Sequence, residues 1–211
     1  MGDPESFKAF EGTLKKATAA LRDAEVPFLL GGSLASWARG GPKTEHDLDL
    51  MVKPGDAERA LEALTEAGMR PERPPEGWLY KAWDGEVLVD LIFEPKGLPV
   101  TDELFERGEE VEVLAVRTPV MALEDVLVTK LLALDEHSLD YSALLQIARA
   151  LREQIDWEAV RRRTSTSPYT RPFFVLLEEL GIASGLERAA GWRRSRVRVV
   201  EPDDGVASTR R

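Results

Sequence analysis

The residues that could do chemistry fall in three places. Gly31-Gly32-Ser33 closes the short apolar run VPFLLGG at 26–32. Two glycines let a backbone bend and approach a ligand closely. The helix start that follows offers free N–H groups and a dipole that favours an anion, and Ser33 adds a hydroxyl donor. Together these make a phosphate cradle, although Gly-Gly-Ser is also an ordinary turn signal. Asp47-Leu48-Asp49 lies in HDLDLMV at 46–52. On a strand, residues two apart share a face, so both carboxylates project together while Leu48 and Leu50 point to the other side. Adjacent carboxylates repel, and a hard divalent cation with oxygen ligands such as Mg²⁺ relieves that repulsion. The alternative is an edge strand with a solvated acidic face.

Asp90 is a single charge among the apolar residues of EVLVDLIFE at 86–94. An unpartnered buried carboxylate is costly, so it needs a neighbour. If its strand adjoins that of Asp47, three carboxylates from two strands can hold two metal ions. Otherwise Asp90 lies on the exposed face of a hairpin, but Leu88 and Ile92 share that face by parity, so it is not uniformly polar.

Other chemistries are excluded by composition. The chain has no Cys and only two His, His46 and His137. Disulfide frameworks, thiolate-bound zinc, iron–sulfur clusters, thiol nucleophiles and His-rich metal sites are therefore ruled out. By parity His46 points to the Leu48 face and reads as a strand-start residue rather than a ligand. Trp37, Trp78, Trp83, Trp157 and Trp192 read as core or interface residues rather than base-stacking platforms. Arg161-Arg162-Arg163 and the tail residues Arg193, Arg194, Arg196 and Arg198 read as solvated basic runs, with contact to an RNA backbone as the competing reading.

These candidates need elements to position them. Residues 5–24 read as a helix, with Phe7, Phe10, Leu14, Ala17 and Leu21 on one side. The strand at 26–32 runs into a short helix at 33–41 with Ser33 as its N-cap and Gly40-Gly41 as its end. A strand follows at 46–52, then a helix over 56–67 with Ala57, Ala60, Leu61 and Leu64 inward and Gly68 at its end. Residues 68–77 read as a Pro-interrupted loop. WLYKAW at 78–83 and EVLVDLIFE at 86–94 form a hairpin about Asp84-Gly85. EVEVLAVRTP at 110–119 reads as one more strand. After Pro119 the period becomes helical: 121–134, 139–151, 157–162, with Asp156 as N-cap, and 172–180, with Gly181 as C-cap. Beyond about Gly185 the pattern dissolves into a tail, in which VRVV could add an edge strand.

The expected architecture is thus α/β (α+β): a mixed β-sheet with flanking helices over residues 1–118, a helical cap over 119–183, and a flexible tail over 184–211. The 211 residues carry a net charge of −10. The acidic excess lies in the first 140 residues and an Arg excess in the remainder, so the two regions present different surfaces. An acidic first region suits a cationic substrate, or an anionic one held through metal. The Arg-bearing second region leaves RNA open. No apolar run is long enough to span a bilayer, and the acidic N-terminus lacks the form of a secretory signal, so a cytoplasmic protein is expected.

The order strand–GGS–helix–strand with D-x-D–hairpin with a third Asp, with thirteen residues between Ser33 and Asp47, resembles the nucleotidyltransferase superfamily typified by DNA polymerase β. The likeness covers about residues 26–94. PVMALEDVLVTKLLAL and LDYSALLQIA resemble the helical segment of small bacterial AbiEii/MenT-type nucleotidyltransferases, with Lys130 and Asp140 at the matching positions. Here Thr44 stands one place farther from Asp47 than in many relatives. The resemblance implies that Gly31, Gly32 and Ser33 hold the triphosphate of an NTP such as ATP. It implies that Asp47 and Asp49 ligate Mg²⁺, two ions being expected, and that Asp90 completes the second site beside the attacking hydroxyl. Lys130 would contact a phosphate. The implied reaction moves an NMP to an acceptor hydroxyl and releases pyrophosphate. The acceptor is a tRNA, as for a toxin with a cognate antitoxin, or an aminoglycoside-like small molecule. A non-catalytic nucleotide-binding or antitoxin-type module is the remaining alternative.

Overall fold

The computed structural model describes residues 4–43 and 47–184. The tail residues discussed above, with Trp192 and the Thr44–His46 approach to Asp47, lie outside the described residues. Helix α1 (Pro4–Asp23) precedes strand β1 (Phe28–Leu30), the short helix α2 (Gly32–Trp37) and strand β2 (Asp47–Val52). Helix α3 (Ala57–Glu66), strand β3 (Arg70–Glu72), strands β4 (Leu79–Asp84) and β5 (Val87–Ile92), helix α4 (Asp102–Glu106) and strands β6 (Glu109–Val113) and β7 (Val116–Val120) complete the first part. Helices α5 (Leu123–Leu132), α6 (Ser142–Leu151), α7 (Trp157–Arg163) and α8 (Arg171–Glu179) follow.

The seven strands form one mixed sheet in the order β3-β4-β5-β2-β1-β7-β6. β2 pairs in parallel with β5, and β1 in parallel with β7. The other neighbours are antiparallel. The strand that carries Asp47 and Asp49 therefore lies mid-sheet, between β1, which ends at Gly31, and β5, which carries Asp90. This is the α+β arrangement expected of the nucleotidyltransferase fold.

Apolar spacing explains the core. Along α1, Phe10, Leu14, Ala17 and Leu21 are buried, and along α3 Ala57, Ala60, Leu61 and Leu64. They join Leu48, Leu50, Val89 and Leu91 from the sheet in one cluster. Phe7 is the exception to the expected stripe; it is exposed, near the start of α1. A second cluster gathers Leu127, Leu131, Leu144, Ile147, Val160, Phe173 and Leu177 from α5 to α8. Helix α5 serves both, because Val126 packs into the first cluster and Leu127 into the second. At α7, Asp156 caps as expected, its carboxylate accepting from the Ala159 N–H at 3.0 Å. Gly181 takes φ +64 after α8, the left-handed C-cap conformation.

Several local expectations are corrected. The N-cap of α2 is Gly31, not Ser33, and no side chain caps that helix. The loop at 68–77 contains β3, and α4 lies in a stretch for which no element was expected. The hairpin turn is Gly85-Glu86 rather than Asp84-Gly85, since Asp84 pairs with Val87. Asp84 stays in the strand because Lys16 donates to its carboxylate at 2.7 Å and Thr13 at 3.0 Å. Finally, 110–119 is not one strand but the hairpin β6–β7, with Val113 opposite Val116. Its turn residues Leu114 and Ala115 have φ +49 and +59, as a type I′ turn requires. Neither is glycine, so no composition signal marked the turn. Leu114 is half-buried, but Ala115 is exposed. Ala115→Gly should relieve left-handed strain at that position and stabilise the fold by about 0.5–1 kcal/mol. A melting temperature about 2 °C higher would show it, and a lower one would refute it.

Candidate active site

The sheet register builds the site. Asp49 stands opposite Asp90 across the parallel β2–β5 pair, and Lys81 opposite Asp90 across β4–β5. Glu72 of β3 is opposite Lys81, and the Gly31 N–H donates to the Asp49 carbonyl at 2.8 Å. One row across the sheet thus reads Glu72, Lys81, Asp90, Asp49, Gly31. Leu48 and Leu50 are fully buried on the opposite face, as the alternation requires. Asp47 is exposed, while Asp49 and Asp90 are half-buried.

Gly32 is where the cradle meets the carboxylates. It has φ +57, and a Cβ built on it would lie 1.6 Å from Oδ2 of Asp49. Only glycine lets that carboxylate sit against the turn. From the other side, Lys130 of α5 donates to Oγ of Ser33 at 3.4 Å. Lys130, Gly32 and Asp49 line the same cleft of about 570 Å³, with Met51, Trp78 and Glu94. Glu76 and Lys96 line it as well. Trp78 is held beside Glu94 because its carbonyl accepts from the N–H groups of Phe93 and Glu94, each at 3.1 Å.

The electrostatics follow from burial. Burial pushes the Asp49 carboxyl up to about 6. Lys130 opposes this, Asp90 and Asp47 add to it, and Lys81 also opposes it. Asp90 is raised too, chiefly by burial, against the Lys81 ammonium that donates to its Oδ1 at 3.0 Å. A carboxyl raised in the native state holds its proton more tightly there than in the unfolded chain. Stability therefore falls as pH rises from 3.8 through about 6 and stays reduced above it. In chelator, Asp49→Asn should melt at a higher temperature than wild type at pH 7.5, with the advantage gone near pH 3.8. An unchanged difference between the two pH values would contradict this.

Hard carboxylate oxygens on one face, with a glycine keeping Oδ2 of Asp49 clear, suit a divalent cation. Among the described residues, though, no group of three or more His, Asp or Glu is gathered for a metal by itself. Like charges without a counter-ion spread apart, and Asp90 turns to Lys81.

The structure thus brings Gly31, Gly32, Ser33, Asp49, Asp90 and Lys130 to one end of the sheet, with Asp47 at the exposed start of β2. Asp140 is not among them. It is exposed, and its carboxylate accepts from the Ser142 N–H at 2.8 Å at the start of α6. Two arginines of the basic run are paired within the protein, Arg161 with Glu158 and Arg163 with the fully buried Asp125, while Arg162 is exposed. Sequence reasoning missed Lys81 and the cleft residues Glu76 and Glu94. Lys81 alone had a signal, its place across the hairpin from Asp90.

A mixed sheet with carboxylates on neighbouring strands beside a glycine turn at a helix start is the arrangement that the nucleotidyltransferase resemblance implies. Over residues 9–178 the chain matches the family described as an uncharacterised nucleotidyltransferase, and it belongs to that family. No curated protein matches it in sequence. In fold it is similar to the solution structure of the antibiotic-resistance factor ANT(2'')-Ia, with a TM-score of 0.57 and 16% identity over 82% of this chain and 97% of that one. A crystal structure of ANT(2")-Ia in complex with adenylyl-2"-tobramycin gives a TM-score of 0.58 and 14% identity over 77% of this chain and 98% of that one. These likenesses concern the fold. Membership of that family makes the protein an enzyme that transfers nucleotidyl groups. Among the described residues, no helix is long and apolar enough to cross a membrane.

Proposed function

We propose that the protein transfers an NMP from an NTP to a hydroxyl of a small cationic acceptor, with Mg²⁺, and releases pyrophosphate. The observation that carries this reading is the cleft, which Gly32, Asp49 and Lys130 line together with Trp78, Glu76 and Glu94; its other cation, Lys96, is paired with Asp135. Negative side chains beside an aromatic face suit an amine-bearing small molecule. The complex of ANT(2")-Ia with an adenylylated aminoglycoside supports the same acceptor class. The pairing of Arg161 and Arg163 within the protein weighs against a tRNA acceptor, the reading that the helical segment suggests.

In this reading residues 1–118 supply the chemistry and 119–183 contribute Lys130 to the cleft. Gly31, Gly32 and Ser33 receive the triphosphate. Lys130 sits 3.4 Å from Oγ of Ser33, where it offers a point charge to the same phosphates. Asp47 and Asp49 would hold Mg²⁺, which supplies charge neutralisation at the phosphates when bound. Asp90, raised by burial, accepts the proton of the attacking hydroxyl. Glu76 and Glu94 orient the acceptor's ammonium groups.

Incubating the protein with labelled NTPs, Mg²⁺ and separate pools of aminoglycosides and tRNA tests this. Label in the small molecules with equimolar pyrophosphate is expected. Label in tRNA would overturn the acceptor, and no NTP consumption with any pool would overturn the reaction.

A further inference from the structure

The row across the sheet contains a cation that the reaction does not demand. Lys81 projects from β4 directly opposite Asp90, and its ammonium lies 3.0 Å from Oδ1. Both side chains are well shielded, 25% and 15% exposed, so the pair is not a fleeting surface contact. Nor does its other cross-strand neighbour draw Lys81 away. Glu72 accepts from the indole N–H of Trp83 at 2.8 Å.

The sequence leads one to expect two ions, the second completed by Asp90. An ion there would have to displace an ammonium already held in register and strip its own water, which Mg²⁺ gives up reluctantly. Breaking a shielded pair leaves a charge without its partner, a cost that grows with burial. Asp47 and Asp49 carry no such ion pair among the described contacts, and they share one face of β2.

We propose that Lys81 is a built-in counter-ion for Asp90 standing in place of a second metal, so that the nucleotide complex holds one divalent ion. This rests on the nucleotidyl-transfer reading above. It makes Lys81 a positioning residue: it fixes the Asp90 carboxylate beside Asp49 and limits what that carboxylate can bind.

Counting protein-bound Mn²⁺ by electron paramagnetic resonance tests it. The protein is saturated with the α,β-methylene analogue of whichever NTP it consumes. Wild type should retain one Mn²⁺ per nucleotide complex, and Lys81→Met two. Lys81→Gln, which keeps a polar side chain, should also give two. Asp90→Asn alone should leave the count at one, and adding it to Lys81→Met should return two to one. Two ions in wild type, or one in both Lys81 variants, would overturn the proposal while leaving nucleotidyl transfer intact. Failure to retain the nucleotide and Mn²⁺ at all would overturn the transfer reading with it.

Discussion

Gly32→Ala should reduce turnover by about 100-fold or more while the protein still folds. The added methyl would fall 1.6 Å from Oδ2 and 2.6 Å from Cγ of Asp49, far inside contact distance. With φ at +57, an alanine there also takes on left-handed strain of about 1–2 kcal/mol. Either the turn or the carboxylate must shift by roughly an ångström, and a displacement of that size costs on the order of 10² in rate. Gly31→Ala is the control. Its Cβ would meet the flexible end of Met51, 3.2 Å from Cγ and 3.3 Å from Sδ, which can move aside. Steady-state kcat for the two variants, with melting curves to check folding, should separate them by more than tenfold. Similar losses at both positions would show that Asp49 does not depend on the turn.

The second large effect is on stability. Asp125 of α5 is fully shielded, yet its carboxylate is charged on both sides. Arg107, beyond α4, donates to Oδ2 at 2.8 Å and to Oδ1 at 2.9 Å, and Arg163 at the end of α7 donates to Oδ1 as well. Both arginine side chains are partly exposed, 44% and 33%, but that of Asp125 is not. The asymmetry decides the outcome. Removing both arginines, as Arg107→Met with Arg163→Met, strands a buried charge and should cost about 3–5 kcal/mol. That corresponds to a fall in melting temperature of about 6–20 °C. Adding Asp125→Asn to the double variant removes the charge and should restore part of the loss. No recovery would mean that the arginines act through packing instead.

Much of the site was legible because it obeys two simple periods. Alternation placed Asp47 and Asp49 together, and Leu48 and Leu50 in the core, without any knowledge of the sheet. Gly-Gly-Ser announced the turn at a strand-to-helix junction. The hairpin was legible too, but its turn was placed one residue early. That error left every side chain on its correct face and slid the pairing by two residues, so Lys81 was not seen opposite Asp90. What held Asp84 in the strand was Lys16 and Thr13, about seventy positions away, and no local signal carries that. The β6–β7 turn was hidden for a different reason. Leu114 and Ala115 adopt positive φ without the glycine or asparagine that normally marks it. Nothing local marked Asp125 as buried, because its two partners come from distant segments. The cleft acids Glu76 and Glu94 lie in loops, whose placement depends on everything else.

The way α5 is shared has a consequence for any attempt to divide the molecule. Val120 and Met121 complete the interior of the sheet and Val126 joins them, while Leu123 and Leu127 on either side of it belong to the other interior. A chain stopped at 118 would end inside β7, lacking Val120 and the Met121 N–H that donates to Leu30 at 2.9 Å. Neither fragment would then own a sealed interior, so heating should melt the whole described body in a single step. A cut placed between the two halves would yield insoluble pieces rather than two small proteins.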